Sequence, residues 1–273
     1  MKKDYDLFGL FDLFDTHTHT NISDGADSPE KMLTAAAQKG VKVIALTDHF
    51  DIHDRFPEEL SVFDGAGREE SYRILSGLKE SKKHDSGIKY LNGIEIAQAH
   101  HYKETAESWL DSHEYDFVLA SCHVIRGHSD FYHMDYKKNN PDVLLEQYFA
   151  ELQELCLWET RFDSLAHMTY PLRYMPAGTD LDRHKSAVDE VLRIMVKNEI
   201  ALEINTQRDI ICPEFPQVRR FYELGGRLIT IGSDAHSANT IAQRIDRGIQ
   251  AAKSAGFAEC VYYEERKPKF IKI

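Results

Sequence analysis

Residues 15–25 read D-T-H-T-H-T-N-I-S-D-G. His17 and His19 stand two apart, so an extended backbone puts both imidazoles on one face. Asp234 and His236 repeat that relation in G-S-D-A-H. Imidazoles and carboxylates together are divalent-metal ligands. More of them follow along the chain: Asp24, then Asp48 and His49 in L-T-D-H, Glu95 in G-I-E-I, His123 in S-C-H and His167 in L-A-H. Burying so many imidazoles beside carboxylates with nothing bound would leave unpaired polar groups, at about 1–3 kcal/mol each. The convergence of ligands, rather than any single histidine, predicts a metal centre. Cys122 adjoins His123 and is expected to point the opposite way, into the packing layer. The donors that remain are nitrogen and oxygen, a set suited to Zn, Mn or Fe. His53, His84, His113 and His184 read as ordinary polar or helical positions, and His100, His101, His128 and His133 as rim positions beyond strand ends.

These ligands need a scaffold that gathers six strand ends. Candidate strands run over 13–17, 41–47, 89–96, 117–123, 163–167, 201–205 and 227–234. Helical patterns lie between them, as at 28–40, where Ser28 suits the N-cap, Pro29 the first turn and Gly40 the stop. Leu144 to Leu157 and Ala187 to Lys197 have the same periodicity. Repeated strand–helix alternation predicts an α/β fold with a parallel sheet covered by helices. With no Pro/Gly/Ser-rich linker, residues 1–273 read as one barrel domain. A terminal hairpin is expected in E-C-V-Y-Y-E-E-R-K-P-K-F-I-K-I, its turn near Arg266 to Pro268. Parallel barrels gather reactive groups at the C-terminal strand ends, which is where the ligands fall.

A formal net charge of -12 excludes the basic footprint that a nucleic-acid partner needs. No apolar run approaches the ~20 residues that cross a bilayer, so no membrane partner is expected. The start resembles a leader only briefly, because Asp4, Asp6 and Asp12 interrupt it and no small-residue cleavage site follows. A cytoplasmic location is the expectation. Cys122, Cys156, Cys212 and Cys260 are far apart and form no C-x-x-C pair, so they read as reduced, buried thiols. Nothing in the pattern sets an oligomeric state.

In order and spacing, the segments D-T-H-T-H-T…S-D-G, T-D-H, G-I-E, C-H, A-H and G-S-D-A-H resemble the successive motifs of the PHP superfamily (polymerase and histidinol phosphatase). L-E-I-N-T at 202–206, E-L-G-G-R-L-I-T-I-G-S-D-A-H at 223–236 and the tail E-R-K-P-K-F-I-K-I are similar to its histidinol-phosphatase branch. The resemblance implies a distorted (β/α)7 TIM-like barrel holding two to three divalent metal ions. His17, His19, Glu95 and Asp234 would hold the first. Glu95 would bridge to a second, held also by His123 and His167. Asp24, His49 and His236 would hold a third. Asp15 and Asp48 are expected to orient neighbouring imidazoles. Two segments depart from the branch: Thr169 stands where an Asp is common, and Q-R-D-I-I-C-P follows E-I-N-T in place of an S-G-L-R-like run. Both fall near the expected substrate site.

The reaction implied is hydrolysis of a phosphorylated small molecule, foremost L-histidinol phosphate in histidine biosynthesis, with a hydroxide shared by two metals attacking phosphorus in line. The catalytic set is Asp234, Arg173 and His236. Arg173 is the leading phosphoryl-binding arginine, with Arg208 and Arg126 behind it. Competing readings are a PHP phosphoesterase acting on a sugar phosphate or nucleotide, a non-catalytic metal-stabilised module, and an amidohydrolase. No ligand is missing, which counts against the module. No lysine stands at a strand end to bridge metals, which counts against the amidohydrolase.

Overall fold

The computed structural model describes residues 13–52, 65–80, 87–158 and 161–273. The expectations for His53, His84 and the leader-like start at 1–12 lie outside the described residues. Strand β1 (Phe14–Asp15) pairs with β2 (Val43–Leu46). A short β3 (His49–Asp51) continues the line of β2 after Thr47 and Asp48. Both flank β4 (Lys89–Ala97), β2 ending at Leu46↔Asn92 and β3 starting at His49↔Glu95. Then follow β5 (Phe117–Ser121), β6 (Ser164–Leu165), β7 (Ala201–Asn205) and β8 (Ile229–Gly232), all parallel and in chain order. A parallel bridge between Thr18 and Ala235, with Thr16 N donating to Ile231 O at 3.2 Å, brings the last stave back to the first. The result is a nearly closed seven-stave α/β barrel.

The strands are apolar in continuous runs because helices cover one face and the barrel interior the other: Ile94, Ile96, Val118, Leu119 and Ala120 are all buried. Helix α1 (Pro29–Gln38) begins at Ser28, whose hydroxyl accepts from Lys31 N at 3.4 Å, and it is followed by Gly40 at φ +77°. Along the chain come α2 (Gly65–Glu80), α3 (Lys103–Ser112), α4 (Pro141–Cys156), α5 (Lys185–Lys197), α6 (Phe215–Glu223) and α7 (Ile245–Ala255). Helix α4 buries Leu144, Leu145, Tyr148, Phe149, Leu152 and Leu155, the stripe of a helix lying on a sheet. No helix among the described residues is long and apolar enough to cross a membrane.

The hairpin of β9 (Glu259–Glu264) and β10 (Lys267–Lys272) turns at Glu265 and Arg266, both at positive φ (52° and 61°). That is a two-residue turn matched to strand twist. It falls earlier than the expected Arg266 to Pro268, and Pro268 instead sits inside β10 opposite Tyr263. Arg266 reaches Asp163 Oδ2 at 2.7 Å and the carbonyl of Arg161 at 2.9 Å, and Tyr263 stacks on Phe117. Asp163 and Phe117 stand where β6 and β5 begin, so the hairpin lies at the end opposite the strand C-termini.

Candidate metal centre

The run after β1 stays extended, and the two-residue spacing places His17 Nε2 2.9 Å from His19 Nε2. Both face Glu95 Oε2 (3.3 and 3.5 Å) and Asp234 Oδ1 (3.8 and 3.4 Å). His17 fits there because residue 232 is glycine: a Cβ at that position would lie 2.2 Å from His17 Cβ and 2.8 Å from Glu203 Oε1. His167 and Asp234 have φ of +25° and +51°, a strained backbone at two ligand-bearing positions.

Glu95 comes from the middle of β4 and is fully buried. Its Oε1 faces His167 Nε2 at 2.9 Å and His123 Nε2 at 3.4 Å, while its Oε2 faces His17, His19 and His49. The two oxygens of one carboxylate thus look toward two ligand groups. A third group gathers at the outer edge, where Asp24 lies 3.5 Å from His49 Nε2 and 3.2 Å from His236 Nε2. Ligand atoms of His19, Asp24, His49 and His236 come within 4.8 Å of one another, as do those of His17, His19 and Asp234, and those of His17, Glu95 and His167. All nine metal-type residues expected from the sequence therefore meet at one mouth.

The electrostatics fit cations. Burial alone would neutralise Glu95 and Asp234, yet the surrounding imidazoles hold both carboxyls well below the usual range. Burial works against a charged His17, but Glu203, Asp234 and Glu95 hold that ring well above the ordinary imidazole value. Burial and the rings of His49, His236 and His17 push His19 down to about 3. His19 Nδ1 has no hydrogen-bond partner. Ring nitrogens and carboxylate oxygens crowd one point, a donor set that fits divalent cations.

The orienting residues differ from those expected. Asp15 accepts from Ser233 N (2.8 Å), Ser233 Oγ (2.5 Å) and Ala242 N (2.8 Å), so it fixes the backbone leading into Asp234; burial pushes its carboxyl up to about 6. Asp48 accepts from Thr20 N (2.6 Å), Thr20 Oγ1 (2.7 Å) and Ser23 Oγ (2.7 Å), holding the loop that carries Asp24. Neither reaches an imidazole in these bonds, because each caps a turn's donors instead. The imidazoles are held by two residues the sequence reading passed over. Glu203 Oε1 lies 2.6 Å from His17 Nδ1, and Asp51 Oδ2 lies 2.9 Å from His123 Nδ1. The two-residue rule could have found Asp51, which shares a strand face with His49.

Arg173 sits on a 3-10 turn, Tyr170–Arg173, with its side chain 7% exposed. It donates to Asn205 Oδ1 at 2.8 Å and to Asp234 Oδ2 at 3.3 Å. Arg208 is exposed, its guanidinium 5.3 Å from the Tyr174 ring. Arg173 and Arg208 line one cavity of about 320 Å³ with Thr169, Leu172, Ile210 and Glu214. Both departures from the family pattern, Thr169 and the 207–213 segment, meet at this cavity. Arg126 goes elsewhere: Glu154 binds its guanidinium at 2.7 and 3.0 Å on the outside of α4.

Residues 15–207 match the PHP domain family. The chain belongs to that family. This PHP protein is 32% identical over 266 residues to the "Probable histidinol-phosphatase" of Clostridium acetobutylicum, covering 94% of this chain and 99% of that one. It is 27% identical to the histidinol-phosphatase of Lactococcus lactis, covering 93% and 95%. Among solved structures, the fold resembles histidinol phosphate phosphatase from Lactococcus lactis complexed with zinc, L-histidinol and phosphate, with a TM-score of 0.75, 25% identity and coverage of 94% and 98%.

Proposed function

We propose that this PHP protein is a divalent-metal-dependent phosphatase whose preferred substrate is L-histidinol phosphate, released as L-histidinol and phosphate. The observation that carries the reading is the meeting of three nitrogen–oxygen ligand groups with a buried arginine at the wall of a cavity. Relatives named histidinol-phosphatases at this coverage support the same chemistry. Two to three ions are assigned to His17, His19, Glu95 and Asp234; to Glu95, His123 and His167; and to Asp24, His49 and His236. Such ions, when bound, polarise phosphoryl oxygens and bring the pKa of water from 15.7 toward ~7.

The chain's own side chains do the rest. Asn205 and Asp234 tether Arg173, so its planar fork is already aimed when phosphate oxygens arrive. Asp234 thereby serves the first ligand group and Arg173 at once, and His236, 32% exposed, marks the open side of the mouth. The adjoining cavity, about 320 Å³, suits a small leaving group. Glu214 supplies the negative charge that a cationic amino alcohol requires. Asp209 contributes less, since Arg244 neutralises it at 3.0 Å.

The test is a panel of phosphomonoesters, including L-histidinol phosphate, a sugar phosphate and a nucleotide, run with the wild type and Glu214→Gln. The wild type is expected to favour L-histidinol phosphate, and the variant to raise KM for that substrate alone. Equal turnover across the panel would replace this substrate with a broader phosphoesterase role.

A further inference from the structure

A second set of ligand-type side chains lies outside the mouth, where β4 and β5 run out. His100 and His101 follow β4, Cys122 follows β5, and Glu151 comes from α4. Ligand atoms of His100, Cys122 and Glu151 lie within 4.8 Å of one another, and all three residues are buried. His100 Nε2 reaches Glu151 Oε2 at 3.0 Å, and His101 Nε2 closes on the same oxygen. The alternation that sends His123 inward to Asp51 and Glu95 sends Cys122 outward to this cluster.

Protons alone answer the cluster incompletely. Two ring N–H groups on one Glu151 oxygen and Arg126 N at 2.7 Å on the other satisfy the carboxylate. His100 Nδ1 is then left buried with no partner, and the Cys122 thiol has only a 3.4 Å contact to the carbonyl of Val124. A tetrahedral zinc with bonds of ~2.0–2.3 Å sets its ligand atoms about 3.5 Å apart, within the spread seen here. An imidazole, a carboxylate and a thiol suit zinc better than a harder ion. The charge also closes: a thiolate and a carboxylate balance a divalent ion, while the nearby Arg126 is already paired with Glu154. Coordination to such an ion deprotonates a thiol.

We propose that His100, Cys122 and Glu151 hold a structural divalent cation of the zinc type, separate from the mouth cluster, that pins α4 to the ends of β4 and β5, with His101 orienting the Glu151 carboxylate. The site backs the wall that carries His123 and is independent of the phosphatase reading.

The test uses the full chain reconstituted with Co(II). A thiolate on cobalt gives an intense near-ultraviolet charge-transfer band that nitrogen and oxygen ligands do not give, and no cysteine is among the ligand groups at the mouth. The wild type is expected to show the band, and Cys122→Ser to lose it together with about one equivalent of retained cobalt. A wild type without the band, or a band that survives in Cys122→Ser, overturns the proposal. Since Cys122 is packed in the core, His101→Gln at the cluster's edge provides a second reading. Its band is expected to fade at about tenfold lower chelator concentration than the wild-type band. Identical release from the two proteins overturns the proposal as well.

Discussion

Glu203 Oε1 lies 2.6 Å from Nδ1 of His17, and neither side chain has any exposure. The other Glu203 oxygen accepts from the backbone N of His167 at 2.8 Å. One carboxylate therefore fixes the ring of one ligand and the backbone of another. It also sets the tautomer: with Nδ1 bound to Glu203, His17 turns Nε2 toward the mouth.

Replacing Glu203 by Gln keeps the volume and removes the charge that holds His17 in place. The variant is expected to bind its divalent ions about 10–100-fold more weakly, read by competition with a coloured chelator. Wild-type affinity would remove Glu203 from this role.

Arg173 binds no ligand group directly except Asp234. Arg173→Ala is expected to lower kcat/KM on phosphomonoesters by roughly 10²–10³-fold while metal content stays at the wild-type level. Arg173→Lys should recover only part of the loss, because a point charge lacks the planar fork. Kinetics unchanged in the alanine variant would exclude Arg173 from phosphoryl binding.

At the opposite end of the barrel, burial pushes the Asp163 carboxyl up and Arg266 pulls it back down. Arg266→Ala is expected to cost about 1–3 kcal/mol at neutral pH, because a buried carboxylate loses its charged donor. The sign follows from linkage. A carboxyl whose folded pKa lies above its unfolded value destabilises the fold increasingly as pH rises through that window. The deficit of the variant should therefore be full at neutral pH and shrink as pH falls toward the ordinary carboxylate value. Urea unfolding at several pH values measures it, and a deficit that grows on acidification would contradict the assignment.

The barrel was legible because six of the seven expected strands are apolar runs with a ligand-type residue at or near their ends, and the i, i+2 relation of His17 and His19 survived in the structure. The orienting residues were harder to read. Asp15 and Asp48 stand beside ligands in sequence, yet backbone donors of the 233 and 20–23 turns claim them. Glu203 belongs to L-E-I-N, a run that looked like plain strand, and its partner His17 is 186 residues away. Cys122 pointed as strand alternation required, but its neighbours His100 and Glu151 come from two other elements, a proximity no local pattern encodes. Arg126 followed a strand end and still turned outward, because Glu154 on α4 offers it a bidentate partner.

The most direct test strips the protein of metal with a chelator, restores Mn, Zn or Fe, and follows phosphate release from L-histidinol phosphate in the wild type and in Glu95→Ala. Glu95 is the residue whose two oxygens face two ligand groups. Activity is expected to vanish on stripping, to return on reconstitution in the wild type, and to stay absent in Glu95→Ala. Full turnover by the stripped protein, or by Glu95→Ala, would contradict the account.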